Sequence, residues 1–171
     1  MTRKMAPEQT ANGISKERLR LWLRLLKATR LVSAELRDRL REDHQTTLPR
    51  FDVMSALYRH EKGLRMSDLS SVLKVSNGNV TGIVNRLASE GFIVRVPVRG
   101  DRRATVVRLT KKGREHFAAL AALHEGWVDE LFSVLAPDET KLANELLNRL
   151  ADALEIRRAG KPNAPEVAEE A

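Results

Sequence analysis

The sequence contains no cysteine among its 171 residues, and aromatic residues make up only 4% of it. The missing thiols exclude disulfides, zinc–thiolate sites and redox sensing through cysteine. The scarcity of aromatics predicts a core built mainly from Leu, Val, Ile and Ala. No apolar run approaches the roughly 18 residues that a membrane helix needs, and the amino terminus lacks the apolar segment of a secretory signal. We therefore expect a cytoplasmic protein that does not enter the membrane.

Sequence motifs for catalysis and metal binding are also missing. The chain has no nucleophile elbow, no P-loop, no glycine-rich nucleotide turn and no paired carboxylates. The four histidines, at positions 44, 60, 116 and 124, form no convincing cluster. The shortest interval, from His116 to His124, is eight residues, which does not place two ligands on one helical turn. We expect no enzymatic activity, no metal site and no cofactor.

Positive charge is abundant and is concentrated in one segment. The chain has a net charge of +7, whereas residues 62–114 alone carry twelve Lys or Arg against three acids, a net +9. A basic surface of this kind indicates an anionic partner, and it is typical of proteins that contact nucleic-acid phosphates. The other interpretation, a generally basic surface that favours solubility, does not explain why the charge is segregated.

Residues 76–87 carry the most informative pattern in the chain. Val80, Ile83, Val84 and Leu87 recur at the spacing of one apolar helix face. The opposite face carries short hydrogen-bonding side chains and one cation: Asn77, Asn79, Thr81, Asn85 and Arg86. Asn and Arg make bidentate contacts to base edges in the DNA major groove. Taken alone, the pattern also fits a surface helix whose polar residues meet only water.

The segments on either side of this helix favour the DNA-binding interpretation. A helix from Pro49 to His60 and a short helix capped by Ser67 precede it, and only a tight turn separates the short helix from Ser76, the next cap. This order predicts a helix-turn-helix. Gly91 then fits a helix C-terminal cap.

A β-hairpin is predicted directly after the helix-turn-helix. Residues 92–98 and 105–109 have the β-branched pattern of two strands, and Pro97 places the first strand at a sheet edge or near its end. The charged turn between them carries Arg99, Arg102 and Arg103. A hairpin in this position is the wing of a winged-helix domain.

Long helices are predicted at both ends of the chain. Residues 15–42 have an apolar band too broad for packing on one side only, which indicates a partner; a central helix of a monomeric bundle is the alternative. Thr110 caps a helix that reaches about Leu135, and a last helix begins at Pro137 and ends near Gly160. We expect residues 1–14 to form a flexible arm and residues 161–171 to be a disordered tail.

Two motifs at this spacing give a family resemblance. Ser76-Asn77-Gly78-Asn79-Val80-Thr81 resembles the start of the recognition helix in MarR-type winged-helix regulators. Asp101-Arg102-Arg103 and the strand ending in Leu109-Thr110 resemble their wing signature. The resemblance spans residues 15–158 and implies a mainly α fold with a small β-hairpin wing. Residues 49–109 would form the winged helix-turn-helix, and residues 15–48 and 110–160 the helical dimerisation layer.

The resemblance also implies a homodimer on a pseudo-palindromic operator of double-stranded DNA. Arg103 matches the wing arginine that enters the minor groove, and Asp101 matches the acid that braces this arginine. Arg99 and Arg102 are expected to contact DNA phosphates. The full set of expected DNA-binding residues is Ser76, Asn77, Asn79, Thr81, Asn85, Arg86, Arg99, Asp101, Arg102 and Arg103. The alternative is an architectural DNA- or RNA-binding protein without sequence preference, against which the polar helix face argues.

Regulators of this type generally release DNA when a small organic ligand binds. Aromatic side chains beside cations suit an aromatic carboxylate or an aryl-CoA thioester such as p-coumaroyl-CoA. Within the family, the sequence most resembles the branch that regulates aromatic-acid catabolism, including hydroxycinnamoyl-CoA-responsive repressors. This resemblance implies a repressor of aromatic-acid catabolic genes. The expected effector residues are Trp22, Arg24, Arg37, Phe51, Tyr58, His60 and Trp127. The aromatic members of this set could instead belong simply to the core.

Overall fold

The structure is a computed structural model that describes residues 7–98 and 101–160, and the side chains in those ranges except for residues 7–12, 77 and 101–104. The described elements are α1 (Pro7–His44), α2 (Leu48–Arg59), β1 (Leu64–Arg65), α3 (Met66–Leu73), α4 (Asn77–Ser89), β2 (Ile93–Val98), β3 (Asp101–Leu109), α5 (Lys111–Phe132) and α6 (Pro137–Ala159). This mostly helical chain with one small antiparallel sheet confirms the predicted fold class.

The chain divides into two compact units, Met1–Val128 and Asp129–Ala171. The core of the first unit forms around the inner face of α4. Val80, Val84 and Leu87 are fully buried there and pack in one cluster with Leu57 of α2 and Leu69 of α3. The spacing of these α4 residues places them on one side of the helix, so their burial leaves the opposite side to the solvent.

The sheet has the strand order β1-β3-β2, so β2 is an edge strand. Pro97 lies in β2, as predicted, because an edge strand tolerates a missing N–H group. β3 begins at Asp101 rather than Thr105, and the register shifts between Pro97 and Val98. Residues 101–104, predicted as part of the turn, are therefore part of the strand.

The helix-turn-helix begins differently from the prediction. The two-residue strand β1, which pairs with β3, was not predicted and runs directly into α3. Arg65 is consequently the N-cap residue of α3, and the prediction that Ser67 caps this helix is wrong. Ser67 lies inside the helix and donates a hydrogen bond to the Asp68 carboxylate at 3.3 Å.

Helix α1 is longer than expected, since it begins at Pro7 and includes residues 7–14 of the predicted flexible arm. Residues 1–6 of that arm and the predicted tail at 161–171 lie outside the described residues. Proline is well tolerated in a first helical turn. Glu8, Gln9 and Ala11 are good helix formers, and Gly13 costs only about 1 kcal/mol relative to alanine.

Helix α6, in the second unit, has no buried residue. Its leucines at positions 142, 146, 147, 150 and 154 are each between 45% and 56% exposed. In the first unit, α1 likewise exposes Leu19, Trp22 and Leu23. Among the described residues, none of the helices combines the length and the apolar character needed to span a bilayer.

Candidate nucleic-acid interface

The turn between α3 and α4 is tight because Lys74 adopts a left-handed conformation, with φ 54°. The N–H groups of Lys74 and Val75 donate to the carbonyls of Ser71 and Ser70, both at 3.2 Å. Ser76 follows in an extended conformation as the N-cap residue of α4, the position that the sequence predicted, although its hydroxyl makes no capping hydrogen bond. The short connection confirms the predicted helix-turn-helix.

The outer face of α4 is open to solvent. The side chains of Asn79, Thr81, Asn85 and Arg86 are all exposed on it, whereas the side chain of Asn77 lies outside the described residues. Gly78 and Gly82 are also on the helix surface, and apart from its immediate neighbours and the helix backbone, a Cβ atom added to either would meet no atom of the described residues within 4 Å. The face is therefore accessible over about two helical turns and carries several amide donors and acceptors.

One residue of this face is tied to the wing. The Arg95 guanidinium, on β2, donates a hydrogen bond of 2.5 Å to the side-chain oxygen of Asn85. In the sequence, Arg95 is only one of the twelve basic residues between positions 62 and 114, and it was not among the predicted site residues. The contact joins residues ten positions apart on different elements, and no sequence motif points to it.

The C-terminal end of α4 is closed by a glycine cap. Gly91 has φ 79°, a conformation that favours glycine. Its N–H donates to the carbonyl of Ala88 at 3.0 Å, and the N–H of Phe92 donates to the carbonyl of Leu87 at 2.9 Å. This pair of hydrogen bonds is the Schellman motif, which confirms the predicted role of Gly91.

The same helix end is held by an ion pair that sequence analysis did not find. Arg50, in the first turn of α2, binds both carboxylate oxygens of Glu90, and one of the two hydrogen bonds measures 2.8 Å. The hydrogen bond from Arg50 lowers the pKa of the Glu90 carboxyl. The two residues are forty positions apart, so only the packing of α2 against α4 brings them together.

The wing residues that the sequence predicted are only partly described. Asp101, Arg102 and Arg103 are the first three residues of β3, but their side chains lie outside the described residues. Arg99 falls in the undescribed connection between β2 and β3. Their expected roles at DNA therefore stay predictions.

Three of the expected effector residues meet in one aromatic cluster. Phe51 is 8% exposed and stacks on His124, with ring centroids 4.4 Å apart. Tyr58 reaches the cluster through Phe117, at 5.0 Å, and Trp127 lies 6.4 Å from the His124 ring. Burial lowers the pKa of His124. Desolvation raises the pKa of nearby Asp52, and the positive charge of His124 opposes this increase.

The other expected effector residues lie elsewhere. Trp22, Arg24 and Arg37 are exposed on α1, and Trp22 and Arg37 are separated by about 22 Å along the helix axis. His60 follows α2, where its Nδ1 atom makes a 2.8 Å hydrogen bond with the carbonyl of Ala56. In the described part of the chain, no group of three or more His, Asp and Glu side chains is suited to hold a metal ion.

Comparison with known proteins gives a consistent picture. A model of the MarR family matches residues 44–104. The HTH-type transcriptional regulator YfiV of Bacillus subtilis is 31% identical over 147 residues, which covers 84% of this chain and 89% of that protein. The transcriptional activatory protein BadR of Rhodopseudomonas palustris is 30% identical over 121 residues, which covers 70% of this chain and 69% of that protein.

The fold of this chain also resembles that of solved structures. The crystal structure of a MarR variant from Escherichia coli complexed with operator DNA has a TM-score of 0.64 and 26% sequence identity. The match covers 78% of this chain and 95% of the MarR chain.

Proposed function

This chain belongs to the MarR family of DNA-binding transcriptional regulators, and we propose that it acts in the cytoplasm as a sequence-specific homodimer on a pseudo-palindromic operator. MarR-family regulators are not enzymes, in agreement with the expectation from the sequence. The observation that carries the proposal is the open outer face of α4, which presents Asn79, Thr81, Asn85 and Arg86 beside two glycines.

In the proposed complex, α4 enters the major groove and reads base edges. Asn79 suits adenine, and Arg86 suits guanine or a phosphate. Asn85, whose oxygen accepts from Arg95, can donate its NH₂ group to a base or phosphate acceptor. Ser76, Asn77 and Thr81 complete the contacts near the start of the helix. At the wing, Arg103 would enter the minor groove with Asp101 bracing it, since a narrow A·T-rich minor groove attracts an inserted arginine. Arg99 and Arg102 would contact phosphates, which position the protein without reading sequence.

The exposed apolar surfaces support the homodimer. The leucines of α6 are about half exposed, and α1 exposes Leu19, Trp22 and Leu23. Apolar patches of this kind mark contacts with another protein. A second copy of the same chain would cover them and would present two α4 helices to successive major grooves, whose half-sites lie about 34 Å apart.

The proposal includes control by a small organic ligand that releases the operator and so relieves repression of aromatic-acid catabolic genes. Phe51, Tyr58 and Trp127 belong to one aromatic cluster, which brings three of the proposed effector residues close together. Arg24 and Arg37 would supply cations for a carboxylate or for the phosphates of an aryl-CoA thioester such as p-coumaroyl-CoA. Because Trp22 and Arg37 are about 22 Å apart along one helix, a compact ligand would contact both residues only if they came from two copies of the chain.

The alternative is an architectural DNA- or RNA-binding protein that lacks base readout. Binding to phosphates alone would favour Lys and Arg on the outer face of α4. That face instead carries two asparagines and a threonine among its described side chains. The amides argue for base recognition and against the alternative.

Footprinting on the DNA that flanks the gene of this protein tests the proposal. We expect a protected, pseudo-palindromic site for the wild type.

Asn79→Ala should relax base preference at one position by about 1–3 kcal/mol. Arg103→Ala should weaken binding chiefly to operators with A·T-rich flanks. Ser67→Ala, on the neighbouring helix α3, is the control. Equal affinity of the wild type for the site and for random DNA would overturn sequence-specific binding.

The same footprint, repeated with p-coumarate and with p-coumaroyl-CoA, tests the effector. Loss of protection with either compound supports an aromatic ligand, and unchanged protection with both rejects these two candidates. A reporter gene placed behind the site gives the sign of regulation, which deserves a direct measurement because BadR is named as an activatory protein.

A further inference from the structure

We propose that the Arg50–Glu90 ion pair is the positioning element that fixes α4 in the orientation required for specific DNA binding. This inference rests on the proposed function of α4 as the base-reading helix. Neither residue belongs to the outer face of α4, so both would act through the helix rather than on DNA bases.

The geometry of the pair is unusually restrictive for a surface contact. Arg50 uses both terminal nitrogens, and Glu90 uses both carboxylate oxygens. Only 21% of the Arg50 side chain is exposed, against 39% of the Glu90 side chain. A bidentate pair of this kind fixes the direction of both side chains as well as their distance. It therefore restricts rotation of one helix relative to the other.

The guanidinium of Arg50 depends on this partner. Its Nε atom is buried and makes no hydrogen bond with any described residue, so Glu90 satisfies only the two terminal nitrogens. When a partly buried cation loses its carboxylate partner, the free-energy cost of its desolvation is no longer offset by electrostatic attraction. If Glu90 is neutralised, we expect Arg50 to move and the contact between α2 and α4 to loosen.

The backbone at Glu90 and Gly91 also forms hydrogen bonds with residues at the start of α5. The carbonyl of Glu90 accepts a 2.9 Å hydrogen bond from Lys112, and the carbonyl of Gly91 accepts one of 2.7 Å from Thr110. Helix α2 thus binds the side chain of Glu90, the C-cap residue of α4, while Thr110 and Lys112 at the start of α5 bind the backbone carbonyls of Glu90 and Gly91. The C-terminal end of α4 is consequently held from two sides, and its N-terminal end is held by the tight turn.

A direct role of Arg50 at DNA is the competing explanation. Arg50 lines a groove of about 320 Å³ together with Thr47, Gly78, Asn79, Gly82, Ile83 and Arg86. An arginine released from Glu90 could turn into this groove and contact a phosphate. The two roles make opposite predictions for Glu90→Gln. A positioning pair loses operator affinity in this variant, whereas a freed phosphate-binding arginine gains affinity for every DNA.

The experiment compares operator and random DNA at several salt concentrations for Glu90→Gln and Arg50→Lys. Glu61→Gln, which removes an ion pair between Glu61 and Arg114 away from α4, is the matched control. We expect Glu90→Gln to lower operator affinity about tenfold, with little change on random DNA and an unchanged salt slope. Arg50→Lys should fall between the wild type and Glu90→Gln, since lysine keeps the charge but not the bidentate geometry.

Exchanging the two residues provides the decisive control. The double variant with Arg50→Glu and Glu90→Arg should recover part of the operator affinity that Glu90→Gln loses. The inference is wrong if Glu90→Gln keeps wild-type operator affinity, or if it tightens binding to both DNAs. Thermal denaturation checks that each variant is folded, and Arg50→Lys gives the answer if Glu90→Gln does not fold. If the wild type itself fails to discriminate the operator, the proposed function fails rather than this inference.

Discussion

Asn85 of α4 accepts a 2.5 Å hydrogen bond from Arg95 of β2, so the outer face of α4 and the wing are linked by a side-chain contact. Both residues are exposed. The amide oxygen of Asn85 is engaged by this contact, which leaves its NH₂ group to meet DNA. Arg95 therefore orients the amide that the sequence assigned to base reading.

The first prediction is that Asn85 and Arg95 act as a unit in operator binding. Asn85→Ala and Arg95→Ala should each weaken operator binding by about 1 kcal/mol, and the double variant should lose scarcely more than either single one. Fluorescence anisotropy with labelled operator measures all three variants. Additive losses would show that the two side chains contact DNA independently.

The second prediction concerns Gly82. A Cβ atom there meets nothing within 4 Å in the free protein, and alanine is about 1 kcal/mol better than glycine within a helix. Gly82→Ala should therefore raise the free energy of unfolding by about that amount while weakening operator binding, because the added methyl group separates α4 from the DNA. Urea denaturation and a binding titration measure the two effects. An increase in both stability and operator affinity would contradict a close approach of DNA at this position.

The third prediction tests the proposed dimer through α6. Leu150 is 48% exposed in the single chain. If a second copy covers it, Leu150→Glu places an unpaired carboxylate in the interface of each protomer and should weaken dimerisation by about 3 kcal/mol or more per protomer, since burying a charge costs more than burying a neutral polar group. Sedimentation velocity should show a shift towards monomer, with a parallel loss of operator binding. Glu155→Gln on the same helix is the control, and an unchanged oligomeric state for Leu150→Glu would place the interface elsewhere.

The fourth prediction concerns the close approach of α5 to the end of α4. A Cβ atom on Gly113 would lie 2.0 Å from the carbonyl oxygen of Phe92, which is rigid backbone. Gly113→Ala should consequently destabilise the fold by about 1–3 kcal/mol or more, despite the better helix propensity of alanine. Gly126→Ala, in the same helix and with open space around it, should be neutral or stabilising. Equal melting temperatures for the two variants would contradict the close contact.

The fifth prediction follows from the lowered pKa of His124, which results first from burial. The folded state prefers the neutral imidazole, whereas the unfolded chain binds a proton near the ordinary value of about 6.5. Stability should therefore fall as the pH drops from 7 to 5, because the unfolded state takes up more protons. In His124→Gln this decrease should be smaller. Urea denaturation at pH 7, 6 and 5 measures it, and an identical pH dependence in the variant would exclude a contribution from His124.

Local patterns in the sequence predicted the parts of the fold that depend on neighbouring residues. The spacing of Val80, Val84 and Leu87 predicted a buried stripe, and Gly91 predicted the end of the helix; both are confirmed. The strand β1 was missed because two residues carry no periodic signal. The cap at Ser67 was wrong for the same reason, since pairing of β1 with β3 moves the start of α3 back to Met66.

The sequence by itself determined the winged helix-turn-helix, the segregation of positive charge and the open polar face of α4. These features follow from hydrophobic periodicity and composition, which act over a few residues at a time. Only the tertiary structure decided which side chains hold that face in place. Arg50 meets Glu90 across forty residues, and Arg95 meets Asn85 across a strand and a helix end. Such pairs depend on how α2, β2 and α4 pack together, because residues far apart in sequence become neighbours only when the core has formed.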